Sequence, residues 1–176
     1  GDIHPLRENK LQLADFIKRS RSPSRFGVLL LEEFKFYQQS FVDAYLAGKI
    51  DRNELRGKTR NGKRSCNSSW RGVIALLDCA RELNLNVHAL DLDSPTPQRR
   101  DKKWAQEIKR ALEEFPPAQV YVVVGDLHLA RVHLPFEVRD LCAPKKETTI
   151  HQGVEEAFWP LLRQGRVYDT LAVSMG

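Results

Sequence analysis

No stretch of this chain comes near the roughly 20 consecutive apolar residues that carry a helix across a bilayer, so no transmembrane segment is expected. Cysteine is scarce. Cys66, Cys79 and Cys142 have no metal-type spacing and cannot all pair with one another, which argues against a disulfide scaffold. Cys79 falls inside an apolar helical pattern and reads as core. Also missing are a phosphate-binding P-loop, the dinucleotide-binding glycine fingerprint, Cys-x-x-Cys and the Gly-x-Ser-x-Gly nucleophile elbow. The stretch Gly57–Ser69 has no acid and almost no apolar residue, yet holds Lys58, Arg60, Lys63 and Arg64. It lacks interleaved aromatics on which bases could stack, so it reads as a mobile, solvated basic loop and no nucleic-acid partner is expected. The net charge of +5 is modest. No repeat of 20–50 residues marks a solenoid.

What the chain does have is one short pattern used twice. Gly1-Asp2-Ile3-His4 is followed by Arg7, and Gly125-Asp126-Leu127-His128 by Arg131. The second copy follows Val120–Val124, an apolar run of strand length, and precedes a segment that could start a helix. Such a turn places its histidine at the carboxyl end of a strand, where open α/β sheets bind ligands. Two such turns can aim two imidazoles into one crevice. Gly1 is expected to follow a strand that this chain does not contain, so we read residues 1–176 as one domain lacking its first strand.

Hydrophobic periodicity supplies the rest of the architecture. Helices are expected over Leu6–Ile17, Phe34–Ala47, Arg52–Arg56, Trp70–Leu83 and Arg100–Phe115, with Gly48 as a C-terminal cap and Pro116-Pro117 as a stop. Strands are expected over Phe26–Leu31, ended by Glu32-Glu33, over Val87–Leu90, ended by Asp91, and over Val120–Val124. Toward the end, a strand near Thr148–His151, a helix over 154–163 and a closing strand near Val167–Val173 are expected. Alternating strands and helices predict an α/β fold: a mostly parallel central sheet, helices on both faces, and a site at the strand carboxyl ends.

The polar residues just past the strands then form one list: Asp2 and His4, Glu32 and Glu33, Asp91 and Asp93, Asp126 and His128. Imidazoles and carboxylates ligate zinc, manganese or iron, and they also serve as general acids and bases. A purely structural account competes with this. Asp2 and Asp126 can cap the following helices, and Arg7 and Arg131 can pair with those aspartates. A histidine on such a turn is expected to have few core contacts. His133, five residues past His128, is a weaker candidate for the same rim; His88, inside a strand, reads as a core residue.

Taken in order, these residues resemble the ChaN-like haem-binding uptake family, which shares a superfamily with Tiki proteases and erythromycin esterases. Gly1-Asp2-Ile3-His4 looks like its first Gly-x-x-His turn, and Leu30–Phe34 like its Leu-Glu-x-Phe strand end, with the family glutamate on Glu32. Tyr45–Ile50 looks like its Tyr-Leu-x-Gly-x-Ile segment. Arg100-Asp101 with Trp104-Ala105 and Ile108 is similar to its Arg-Asp-x-x-Met-Ala-x-x-Ile helix, and Val124–His128 with Leu134-Pro135 to its final turn. The chain departs from the family at Asp2 and Pro5, where Gly-Glu-x-His-Asp is usual.

The resemblance implies a haem, iron or other metal-binding domain with His4 and His128 as haem or metal ligands, Glu32 as a further metal ligand, and Arg7 and Arg131 beside haem propionates. Alternatively it implies a metal-dependent hydrolase in which His4, Glu32 and His128 are catalytic, with Asp2 or Asp126 orienting a ligand histidine or acting as base. A third reading is a chemically inactive interaction module. The expected cofactor is haem or a divalent metal ion. A homodimer is compatible with this reading, and the resemblance implies a cell-envelope lipoprotein.

Overall fold

The computed structural model describes residues 7–59, 67–92, 96–142 and 146–150. Within them three parallel strands form one sheet in the order β2-β1-β3: β1 is Phe26–Lys35, β2 Asn86–Asp91 and β3 Ala118–Val123. The helices are α1 (Arg7–Ser20), α2 (Gln39–Leu46), α3 (Arg52–Thr59), α4 (Asn67–Glu82), α5 (Pro97–Glu114) and α6 (Leu134–Cys142). This is the expected α/β fold with a parallel sheet.

Strand parity divides the core. Leu29 and Leu31 of β1, together with Phe34 beyond the register shift between Leu31 and Lys35, pack with Ile17 of α1, Val42 and Tyr45 of α2 and Leu76, Leu77 and Ala80 of α4. Val28 and Leu30, of opposite parity, pack with Trp104, Ile108 and Ala111 of α5 and Leu134 and Val138 of α6. β1 is therefore buried on both faces, which is why its sequence is a continuous apolar run rather than an alternation. Among the described residues no helix is long and apolar enough to cross a membrane.

The chain departs from the sequence expectations at several boundaries. β1 does not stop at Glu32-Glu33 but runs to Lys35, and its register against β2 shifts between Leu31 and Lys35. The helix expected from Phe34 starts only at Gln39, after a 3-10 turn over Phe36–Gln38. Two glutamines account for this. The Lys35 N–H donates to Gln38 Oε1 (2.9 Å), and Gln38 Nε2 donates to the Thr59 carbonyl (2.9 Å). Gln39 accepts from the Ala89 N–H (2.6 Å) and donates to the Val87 carbonyl (2.8 Å), so one side-chain amide caps the outer edge of β2.

Further on, α3 extends through Gly57–Thr59 and α4 begins at Asn67, so both ends of the expected 57–69 loop are helical; residues 60–66 lie outside the described residues. Gly125 does not lead directly into a helix capped by Asp126. A 3-10 turn over Asp126–Leu129 follows, and α6 starts at Leu134 with Pro135 in its first turn, where no intrahelical donor is needed. Thr148–Ile150 is not a strand. Glu147 ties this segment to Arg139 through two hydrogen bonds of 3.0 and 2.9 Å, rather than setting it in the sheet. His151, the 154–163 helix and the 167–173 strand lie outside the described residues.

Gly48 has the expected cap role. Its φ is +70°, its N–H donates to the Tyr45 carbonyl (2.9 Å), and the Lys49 N–H reaches the Ala44 carbonyl (2.8 Å). In the same helix the buried Tyr45 hydroxyl donates to Asp78 Oδ1 at 2.7 Å. Burial, and then this bond, push the Tyr45 pKa up to about 12. The folded chain thus keeps the phenol proton at a pH where the unfolded chain, with a value near ~10, releases it. The associated stability is complete below about pH 10 and is lost as pH rises toward the folded value. Tyr45→Phe is expected to flatten this alkaline loss in urea unfolding; an unaltered slope between about pH 10 and 12 would contradict it.

Candidate functional site

The carboxyl ends of β1 and β3 are adjacent, and α5 begins beside them. Glu32 shares the parity of Val28 and Leu30, so it lies on the α5 side of the sheet. Its Oε2 accepts the Gly125 N–H at 2.6 Å, joining the end of β1 to the turn after β3. The His128 N–H donates to the Gly125 carbonyl at 2.9 Å, and this turn carries the His128 ring inward. There His128 Nε2 lies 4.0 Å from Glu32 Oε1. Glu33 has the opposite parity and pairs on the other face with the fully buried Lys10 at 3.1 Å.

The residue that organises this cluster is Asp101 of α5. Only 1% exposed, it receives His128 Nδ1 on Oδ1 at 2.6 Å and His133 Nδ1 on Oδ2 at 2.8 Å. A carboxylate only accepts, so both rings donate from Nδ1 and the neutral form of each leaves the Nε2 lone pair free. Asp101 was legible as an anomaly. Trp104, Ala105, Ile108 and Ala111 form the buried stripe of α5, and Asp101 extends that stripe as a carboxylate in an apolar row. Its partners, 27 and 32 residues away, gave no local signal.

Packing closes the arrangement. His128 is 3% exposed, and its ring centroid is 4.6 Å from that of Trp104. It is therefore a core-packed residue rather than the lightly contacted turn histidine expected. On the rim, Arg100 lies with its guanidinium carbon 5.5 Å from the Trp104 ring centroid and reaches Glu32 Oε1 at 3.4 Å and Asp91 Oδ1 at 3.8 Å. Asp91 also pairs with Lys35 at 2.8 Å.

The structure thus brings Glu32 and His128 together and adds Asp101 and His133. Asp2, His4 and Asp93 lie outside the described residues, as do the side chains of Arg7 and Asp126. Arg131 is exposed. His88 is half-buried, edge-on to Phe115 with ring centroids 6.3 Å apart; burial, and then Arg110, hold its pKa below the usual imidazole value. Among the described residues no group of three or more His, Cys, Asp or Glu is arranged to hold a metal ion. His128 Nε2 and Glu32 Oε1 lie 4.0 Å apart, wider than the roughly 3.3–3.6 Å between two ligands of a tetrahedral zinc ion with bonds of about 2.0–2.2 Å.

No family model, curated protein or solved structure matches this chain.

Proposed function

We propose that this chain is a metal-ion-binding domain of the ChaN-like kind, with His128 Nε2 and Glu32 as donors and His4 as the third donor that the resemblance supplies. One observation carries the reading: a buried carboxylate fixes Nδ1 of His128 and so leaves Nε2 free toward Glu32. A carboxylate behind a histidine is the usual outer partner of a metal-ligating imidazole, setting its tautomer and raising its basicity. The buried, enclosed position of His128 against Trp104 suits a single ion better than a wide porphyrin ring.

A second reading, a hydrolase, draws on the same couple, since an aspartate on Nδ1 also orients a histidine acting as general base. A bound ion would add Lewis-acid polarisation of a substrate oxygen. With such an ion held by Glu32 and His4 and not by His128, Nε2 of His128 would take or give the proton, Asp101 would hold the ring, and Glu32 would remain tied to the Gly125 N–H.

The test is metal analysis of the purified protein with Zn2+ and Mn2+ calorimetry, alongside a haem titration followed at the Soret band. His128→Ala is expected to weaken ion binding at least about tenfold, or roughly 1.4 kcal/mol. It should also lower the melting temperature, because it empties a packed position. Full ion affinity in that variant would refute the reading. A stoichiometric Soret band lost in His128→Ala would replace the ion with haem. Chelator-sensitive turnover of a chromogenic ester would favour the hydrolase.

A further inference from the structure

We infer that His133 is a positioning residue for His128, acting through the second oxygen of Asp101. The clearest sign is how His133 is placed. It immediately precedes α6, and its carbonyl accepts from the Phe136 and Glu137 N–H groups at 3.0 and 3.2 Å. Its own N–H donates to the Ala130 carbonyl at 2.9 Å. This is the helix N-cap position, where Ser, Thr, Asp or Asn would normally accept a first-turn N–H. A histidine there gives up that bond. Its Nδ1 turns to Asp101 Oδ2 instead, at 2.8 Å, with the side chain 16% exposed.

The geometry explains what this contact does. An aspartate carboxylate rotates in a broad, nearly two-fold torsional well, so a single N–H partner on one oxygen leaves its plane poorly fixed. Here each oxygen has its own imidazole donor, 2.6 Å from His128 and 2.8 Å from His133. The two rings meet edge-on with centroids 6.4 Å apart, so they approach the carboxylate from different directions. With both bonds in place the carboxylate plane is set, and with it the ring plane and Nδ1–H tautomer of His128. The ring that presents Nε2 to Glu32 is thus held from two residues away, by a side chain that reaches solvent.

This role differs from direct ligation in one testable respect. Asparagine places its amide nitrogen near the position of imidazole Nδ1 but has nothing at the Nε2 position. If His133 acts through Asp101, His133→Asn keeps the function and His133→Ala loses it. If His133 itself binds a ligand through Nε2, both variants lose it.

The experiment is 15N NMR of the histidine rings in the full chain without added metal, repeated as a Zn2+ titration. In the parent chain His128 is expected as a single Nδ1–H tautomer. His133→Ala should give a mixture of tautomers at His128, and His133→Asn should restore the single form. The Zn2+ arm rests on the metal-binding reading above. There, His133→Ala should lose about tenfold in affinity, the low end for an outer-shell partner, and His133→Asn should recover it. A parent chain that does not bind Zn2+ defeats the metal reading alone, since the tautomer arm decides the positioning role without metal. An unaltered His128 tautomer in His133→Ala overturns the inference, as does a His133→Asn variant as disordered at His128 as the alanine variant.

Discussion

Trp104→Ala is expected to destabilise the domain by about 3–5 kcal/mol, the range for emptying a buried aromatic position. Trp104 is wholly buried, in the cluster formed by Val28 and Leu30 of β1, Leu90 of β2 and Leu134 of α6. One substitution therefore removes the largest fully buried side chain among the described residues from the cluster between the sheet and the α5–α6 layer. Against a typical domain stability of roughly 5–15 kcal/mol, a loss of this size should be plain as a lower urea midpoint with an unchanged slope. Trp104→Phe separates packing from polarity. Trp104 Nε1 is buried and has no hydrogen-bond partner among the described residues, so phenylalanine forfeits volume but no bond. It should cost clearly less than alanine. A loss below about 1 kcal/mol for Trp104→Ala would mean that the layer closes without this ring.

The same residue shows which parts of the fold were open to reading. Trp104, Ile108 and Ala111 recur at helical spacing, and α5 was visible for that reason. The run from Phe26 to Leu31 was equally plain, because a strand buried on both faces is apolar at every position. Its end was not plain. Glu32 and Glu33 look like a terminus, yet the strand continues, since each carboxylate finds a partner on its own face: the Gly125 N–H for Glu32, Lys10 for Glu33. The late start of α2 has a similar cause. Gln38 and Gln39 read as ordinary helix surface, while their amides satisfy backbone groups of β1, α3 and β2. Bonds of that kind join residues far apart in sequence and leave no periodic trace.

The candidate site divides along the same line. The placement of Glu32 and His128 could be read because each follows an apolar strand, and parallel strands end along one edge. The burial of His128 could not be read, because a turn histidine becomes a core residue only once Trp104 lies on it. Asp101 carried a local signal, a carboxylate on an apolar helical stripe, whose meaning depended on two histidines from another part of the chain. His133 had only its nearness to His128.

Asp101→Asn is expected to reduce ion affinity by about 10- to 100-fold, the usual effect of altering an outer-shell partner, while the overall fold stays intact. The argument is one of donors and acceptors. The carboxylate accepts Nδ1–H from both His128 and His133. The isosteric amide keeps one acceptor oxygen and presents an N–H donor where the other oxygen was. Only one ring can then keep its Nδ1–H bond. The other must accept through Nδ1 and carry its proton on Nε2. If that ring is His128, the atom facing Glu32 no longer offers a lone pair; if it is His133, His128 keeps its Nδ1–H bond but to a neutral amide oxygen, without the charge that raises the basicity of the ring. Asp101→Ala should be worse for stability, because it leaves the buried Nδ1–H of His128 unpaired at about 1–3 kcal/mol, and the part-buried one of His133 at less. Calorimetry with Zn2+ checks the affinity, and histidine 15N spectra check the proton positions. Parent-like Zn2+ affinity in Asp101→Asn, with Nδ1–H retained on His128, would show that the amide oxygen alone suffices. The hold of Asp101 on His128 would then rest on one acceptor oxygen alone, and neither its charge nor its second oxygen would contribute to the site.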